Sequence, residues 1–111
     1  MEVTTQYFKH CALLTVTGRV DSYTAPKLSE AIEAVNKNNV FKIVLDLGEL
    51  EYMSSAGFRA LLVGQRTCRR YNRGEIVLAR VPKKIYEAFE LTGFTPLFKM
   101  FDDVTAAVGS F

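Results

Sequence analysis

The sequence predicts one α/β domain, spanning residues 1–111, with a mixed sheet of about five strands and about four helices. Two β-type runs open the chain, Glu2 to Lys9 and Cys11 to Thr17, close enough to form a hairpin. From Phe41 onward, apolar runs of strand length alternate with segments of helical period, which implies parallel strands joined by right-handed crossovers. The chain has 111 residues, 49% of them apolar, enough for one modest core.

Each element has a local reason. Glu2 to Lys9 reads as an edge strand, and His10 falls in the hairpin turn. Ala12-Leu-Leu-Thr-Val-Thr17 favours β structure, and Gly18 marks its end. Asp21 to Pro26 reads as a loop feeding a helix, with Thr24 as cap and Pro26 in the first turn. Leu28, Ile32 and Val35 then recur at i, i+4 and i+7, and Asn36-Lys-Asn-Asn39 ends that helix. Phe41 to Leu47 is the central strand. A helix from Ser55 to Tyr71 follows, stopped by Asn72-Arg-Gly74 in a left-handed turn. Glu75 to Ala79 is nearly all apolar, as in a strand buried on both faces. Pro82 opens a helix through Leu91, with Ile85, Ala88 and Phe89 inward and Gly93 as breaker. Leu97 to Phe101 is the last strand, and Asp103 caps a short helix to Val108.

Composition excludes several classes of function. Fourteen basic and twelve acidic residues leave a net charge of +2, with no global pull towards nucleic acid or membrane. No apolar run approaches the roughly 20 residues that span a bilayer. The N-terminus lacks the apolar stretch of a signal peptide, so cytoplasmic residence is expected. Cys11 and Cys68 form no CxxC pair and are expected as buried free thiols. His10 is the only histidine and has no ligand cluster around it, which argues against a metal. No Walker loop is present, and no cofactor is expected.

The junction between the central strand and the next helix holds two adjacent hydroxyls, Ser54 and Ser55. Serine is a preferred N-cap, because its oxygen can accept unpaired N–H groups of the first turn. A phosphate also sits well there, on free N–H donors at the positive end of the helix dipole. On a helical wheel, Arg59, Arg66, Arg70 and Arg73 share one exposed stripe, with Val63 beside them and Ser55 at the edge. Phe58, Leu61, Gly64, Cys68 and Tyr71 fall on the opposite side and should face the sheet. Alone, such a stripe reads as a solvated basic face, or as a surface that meets an acidic partner. Asp46 reads as a turn residue capping nearby N–H groups, or as a carboxylate serving the serine pair. Asp21 reads as a loop residue bonding its neighbours' backbone.

Met53-Ser-Ser-Ala-Gly-Phe58 resembles the Met-Asp-Ser-x-Gly-Leu signature of the STAS domain family, specifically the bacterial anti-sigma factor antagonists. Gly18-Arg-Val-Asp21-Ser-Tyr-Thr-Ala25 resembles the family's Gly-x-x-Asp-x-x-x-Ala turn. Ile43-Val-Leu-Asp-Leu47 resembles its central strand, and Leu91-Thr-Gly-Phe94 its late glycine segment. The match departs at Ser54, where the family has Asp, and at Phe58-Arg59, where Leu-Gly is common. The resemblance implies a STAS fold with helices mainly on one face of the sheet. It implies a binding module rather than an enzyme, and a partner-switching cycle. In the cycle that the resemblance implies, the unmodified protein would bind an anti-sigma factor that is also a serine kinase; the kinase would phosphorylate Ser55, and a PP2C-type phosphatase would restore the hydroxyl. Ser54 is the alternative acceptor. Asp21, Ser22, Tyr23, Thr24, Ser54, Ala56, Arg59, Val63 and Arg66 are then expected at the docking edge, with Asp46 and Gly57 supporting the switch loop. Three rivals stand beside this reading: a constitutive subunit of a lipid transporter or stress-signalling scaffold, a serine hydrolase pairing Ser55 with His10, and a nucleic-acid binder using the arginine stripe.

Overall fold

The computed structural model describes residues 1–71 and 73–111. Among the described residues, five strands lie side by side in chain order: β1 (Glu2–Tyr7), β2 (Ala12–Val20), β3 (Lys42–Met53), β4 (Glu75–Ala79) and β5 (Met100–Phe101). β1 pairs antiparallel with β2, and the later pairs are parallel. The helices are α1 (Ala25–Lys37), α2 (Ser55–Arg70), α3 (Lys83–Thr92) and α4 (Val104–Gly109).

Strand periodicity sorts the side chains into two layers. Leu14 and Val16 of β2, Leu45 and Leu47 of β3, and Ile76 and Leu78 of β4 pack against α1, α2 and α3. Leu13, Val44, Val77 and Ala79 point the other way and meet Ala107 of α4. The helices therefore lie mainly on one face, as expected. Each fully buried Leu or Ile contributes roughly 1.5–3 kcal/mol, so the larger layer dominates and fixes α2 on the sheet. Phe58 of α2 meets Phe89 of α3 edge-on at 4.7 Å, which ties the first turn of α2 to a third helix. Cys11 and Cys68 are both free and buried, and burial raises both thiol pKa values.

The strands around the serine pair are longer than their sequence pattern suggests. β2 does not stop at Gly18 but continues to Val20, and β3 does not stop at Leu47 but continues to Met53. The β2–β3 pairing shifts register between Thr15 and Thr17 and again between Gly18 and Arg19. These irregularities put Leu47, Leu50 and Met53, three residues apart, on the core side, so the alternation of two is lost. Gly18 takes φ +87, which an L side chain rarely adopts. At the other end, β5 is shorter than expected, because Thr95–Leu97 forms a 3₁₀ turn around Pro96.

Two end assignments are also corrected. Tyr71 does not face the sheet: it follows the last helical residue in extended backbone (φ −115, ψ 134), stacks on Phe41 at 5.3 Å and is 48% exposed. The helical wheel does not apply to a residue that has left the helix. The left-handed residue near this stop is Arg73, φ 54, while Asn72 lies outside the described residues. Thr24 stands at the N-cap position of α1 but makes no capping bond; its hydroxyl turns back into the loop.

Candidate docking and switch site

Two segments leave the sheet side by side. Val20 ends β2 opposite Met53 of β3, and its carbonyl accepts the Ser54 N–H at 2.8 Å. One backbone bond therefore joins the start of the Asp21–Thr24 loop to the start of α2. Gly57 lets the helix descend onto this corner. A Cβ there would come within 2.6 Å of Met53 Cγ and 2.9 Å of Val20 Cγ1. Gly57 thus permits a close approach of α2 to Met53 and Val20.

The helix ladder begins with Phe58 N–H donating to Ser54 C=O at 3.1 Å. The amides of Ser55, Ala56 and Gly57 precede that bond and have no carbonyl within the helix. Ser55 is the first helical residue and is exposed. Ser54 occupies the N-cap position, yet its hydroxyl makes no capping bond; the oxygen is buried and has no hydrogen-bond partner among the described residues. The two adjacent hydroxyls thus differ in kind: one is open, one sealed.

The loop beside them is braced by one carboxylate. Asp21 Oδ1 accepts from Tyr23 N–H at 3.0 Å and Thr24 N–H at 2.9 Å. Thr24 Oγ1 accepts the Asp21 N–H at 2.9 Å and lies 3.1 Å from both Asp21 Oδ1 and Arg19 C=O, so its one proton serves either. The Thr24 amide and hydroxyl hold the Asp21 carboxyl below its ordinary pKa. A lowered folded pKa means the bracing is complete above the unfolded value of about 3.9 and is lost only as pH falls through the folded value. The Tyr23 and Thr24 amide shifts in an NMR titration are accordingly expected to stay constant from about pH 7 to 5 and to move only below about 4. Movement centred near pH 6 would mean another group controls the loop. The bracing leaves the Tyr23 side chain 91% exposed.

Several expected site residues converge. Ser22, Ala56, Arg59 and Val63 line one open hollow of about 560 Å³ between α1 and α2. Arg66 is exposed one turn beyond Val63, which is itself 53% exposed. None of Arg59, Arg66 or Arg70 is ion-paired among the described residues.

Asp46 is not part of this site. It is not at a strand end; it sits inside β3 opposite Thr15, eight residues before Ser54 and on the order of 25 Å away along the strand. It is buried and forms a two-point ion pair with Arg80, at 2.9 Å to Nε and 3.0 Å to Nη2, and also accepts the Gly48 N–H at 3.0 Å. Asp46 does cap a nearby N–H, that of Gly48, but from inside a strand and not a turn, and it does not serve the serine pair: it braces β3 against the end of β4. His10 is likewise remote. It lies in the turn before β2, while Ser54 is bonded to the far end of that nine-residue strand, so a Ser55–His10 pair cannot form.

Gln65 is a positioning residue that the sequence reading passed over. It lies 2% exposed on the core side of α2, where Phe58, Leu61 and Cys68 are its helical neighbours. Its Oε1 accepts the Ile76 N–H at 2.6 Å, and its Nε2 lies 3.0 Å from Ile76 C=O and 2.7 Å from Leu97 C=O. β5 reaches β4 only from Leu78 onward, so Gln65 supplies the edge bonds that a longer β5 would have made. A lone polar residue in an otherwise apolar helical stripe was the available signal. The α1 wall of the hollow, with Pro26, Ser29, Glu30 and Glu33, was also passed over, because nothing in α1 alone marks it.

This geometry matches known proteins. The family model described as Mlab, STAS domain, matches residues 3–99. The chain belongs to the STAS domain family. It is 32% identical over its full length to a Bordetella bronchiseptica protein, described provisionally as the anti-sigma factor antagonist BtrV, and covers 95% of that protein. It is 33% identical to the anti-sigma-B factor antagonist of Listeria monocytogenes over 77% of this chain and 74% of that one. Among solved structures, an anti-sigma factor antagonist from Mycobacterium paratuberculosis superposes with a TM-score of 0.88 at 21% identity, covering 98% of this chain and 92% of that one. The Bacillus cell fate determinant SpoIIAA in its phosphorylated form gives 0.77 at 15% identity, covering 98% of each chain. At these identities the structural matches establish the fold. Among the described residues, no helix is long and apolar enough to cross a membrane.

Proposed function

We propose that this chain is an anti-sigma factor antagonist whose binding is switched off by phosphorylation of Ser55. Unmodified, it binds an anti-sigma factor that is also a serine kinase; phosphate transfer to Ser55 ends the interaction, and a PP2C-type phosphatase restores it. The protein itself catalyses nothing in this cycle.

One observation carries the reading. Ser55 presents an open hydroxyl at the first position of a 16-residue helix, while the Ser54 oxygen beside it is sealed. A kinase can reach the first and not the second. Phosphate adds about −1.5 to −2 charges, and the free first-turn amides and Arg59, four residues on, favour that charge. The names borne by the relatives agree with this function. Ser54 in place of the family's Asp leaves no carboxylate directly before the acceptor, so the hydroxyl is oriented by the helix start alone.

The test is intact-mass measurement after incubation with the source organism's anti-sigma factor kinases and Mg-ATP. Wild type and Ser54→Ala are expected to gain one phosphate and Ser55→Ala none. A phosphate that survives Ser55→Ala and vanishes in Ser54→Ala would reassign the acceptor. Tight binding with no phosphate on any variant would favour the constitutive subunit instead.

A further inference from the structure

The hollow beside Ser55 does not end there. A second hollow shares Ser29, Glu33, Ala60 and Val63 with it, and a third shares Glu33, Asn36 and Thr67 with the second. Together they form one trough along the whole α1–α2 seam, from Ala56 next to Ser55 to the Phe41–Tyr71 pair at the far end. The 13 residues of α1 give it a length of about 20 Å.

The rims carry opposite charge. On the α2 side, Arg59, Arg66 and Arg70 stand exposed at positions i, i+7 and i+11 and are not ion-paired among the described residues. On the α1 side stand Glu30 and Glu33, also without ion pairs among the described residues, with Lys37 beyond them. No ion pair joins the two rims among the described residues. A positive line and a negative patch flanking an apolar channel match a helix with an apolar ridge and oppositely charged flanks.

We infer that the trough seats an amphipathic helix of the binding partner, about four turns long, acidic along the edge facing α2 and basic opposite Glu30 and Glu33. This rests on the function proposed above and specifies the shape and charge of the partner. It also divides the interface. The Ser55 end feels a phosphate directly. The Tyr71 end lies about 24 Å away along α2, beyond a Debye length of about 8 Å at physiological salt. Contacts there hold the partner with equal strength whatever the state of Ser55.

The test is calorimetric titration of the anti-sigma factor that phosphorylates the chain, against Arg66→Glu, Glu30→Lys and Tyr71→Ala. Arg66 and Glu30 are exposed, so their variants should melt with wild type; Tyr71→Ala gives up its packing on Phe41 and should melt somewhat lower, so its titration is run well below its own transition. The charge reversals are expected to weaken binding at least tenfold. Tyr71→Ala should weaken it about fivefold, by the same factor in the wild-type and Ser55→Asp backgrounds. Wild-type affinity in all three variants, with Ser55→Asp still weakened, overturns the trough and leaves the switch intact. Weakening in all three, with Ser55→Asp binding like wild type, supports the trough and overturns the switch. An anti-sigma factor set that neither binds nor phosphorylates the chain overturns both.

Discussion

Ser55→Asp is expected to bind its anti-sigma factor at least a hundredfold more weakly than wild type while melting at the same temperature or slightly higher. The two halves of this result come from different environments of one side chain. In the free protein the new carboxylate lies in solvent beside the first-turn amides of Ser55, Ala56 and Gly57, which have no carbonyl partner within the helix. A negative group in the first helical turn gains about 0.3–1 kcal/mol from the dipole. In the complex the same carboxylate is buried without a matched cation, which costs about 3–5 kcal/mol. At about 1.4 kcal/mol per decade, that is a loss of about two to three and a half decades. Calorimetric titration and thermal unfolding on one preparation measure both halves. A variant that unfolds early would make the Ser55 hydroxyl structural, and one that binds normally would remove it from the interface.

Gln65→Leu is expected to cost about 3 kcal/mol of stability, as measured by urea denaturation. The substitution keeps the volume of the side chain and removes its amide. Ile76 N–H and C=O then lose their side-chain partner in a buried region that β5 does not reach. Each orphaned buried group costs about 1–3 kcal/mol. Leu97 C=O keeps its bond from Arg69 Nη2 at 2.8 Å and adds little to the loss. For a chain of this length, such a change lowers the melting temperature by roughly 10–20 °C. A loss below about 1 kcal/mol would mean that the segment after α3 slides over to pair with Ile76.

The sequence was most legible where one physical rule acted alone. β4 is Glu75–Ala79 as read, because an apolar run flanked by Gly74 admits no competing period. The exposure of Ser55, Arg59, Val63 and Arg66 followed from helical spacing, which the packed face of α2 respects. Legibility failed where two rules competed. Past Gly48 the register shifts place buried residues three apart, so β3 mimics a helix or loop in the sequence. Asp46 looked like a turn residue for the same reason: the strand appeared to end just after it. Its partner Arg80 is 34 positions later, adopts φ 54, and reaches across a glycine whose Cβ would meet the guanidinium. No local pattern encodes such a meeting. The seam between α1 and α2 is likewise a property of two segments brought together by β3, and so of neither one alone.

The seclusion of both native thiols makes the molecule convenient to instrument. Cys11 and Cys68 are almost wholly covered, and desolvation keeps their sulfurs protonated at neutral pH, so alkylating reagents meet them slowly. A cysteine introduced at Val63 would react first, and a single dye could be attached at the seam without stripping the interior of its sulfur.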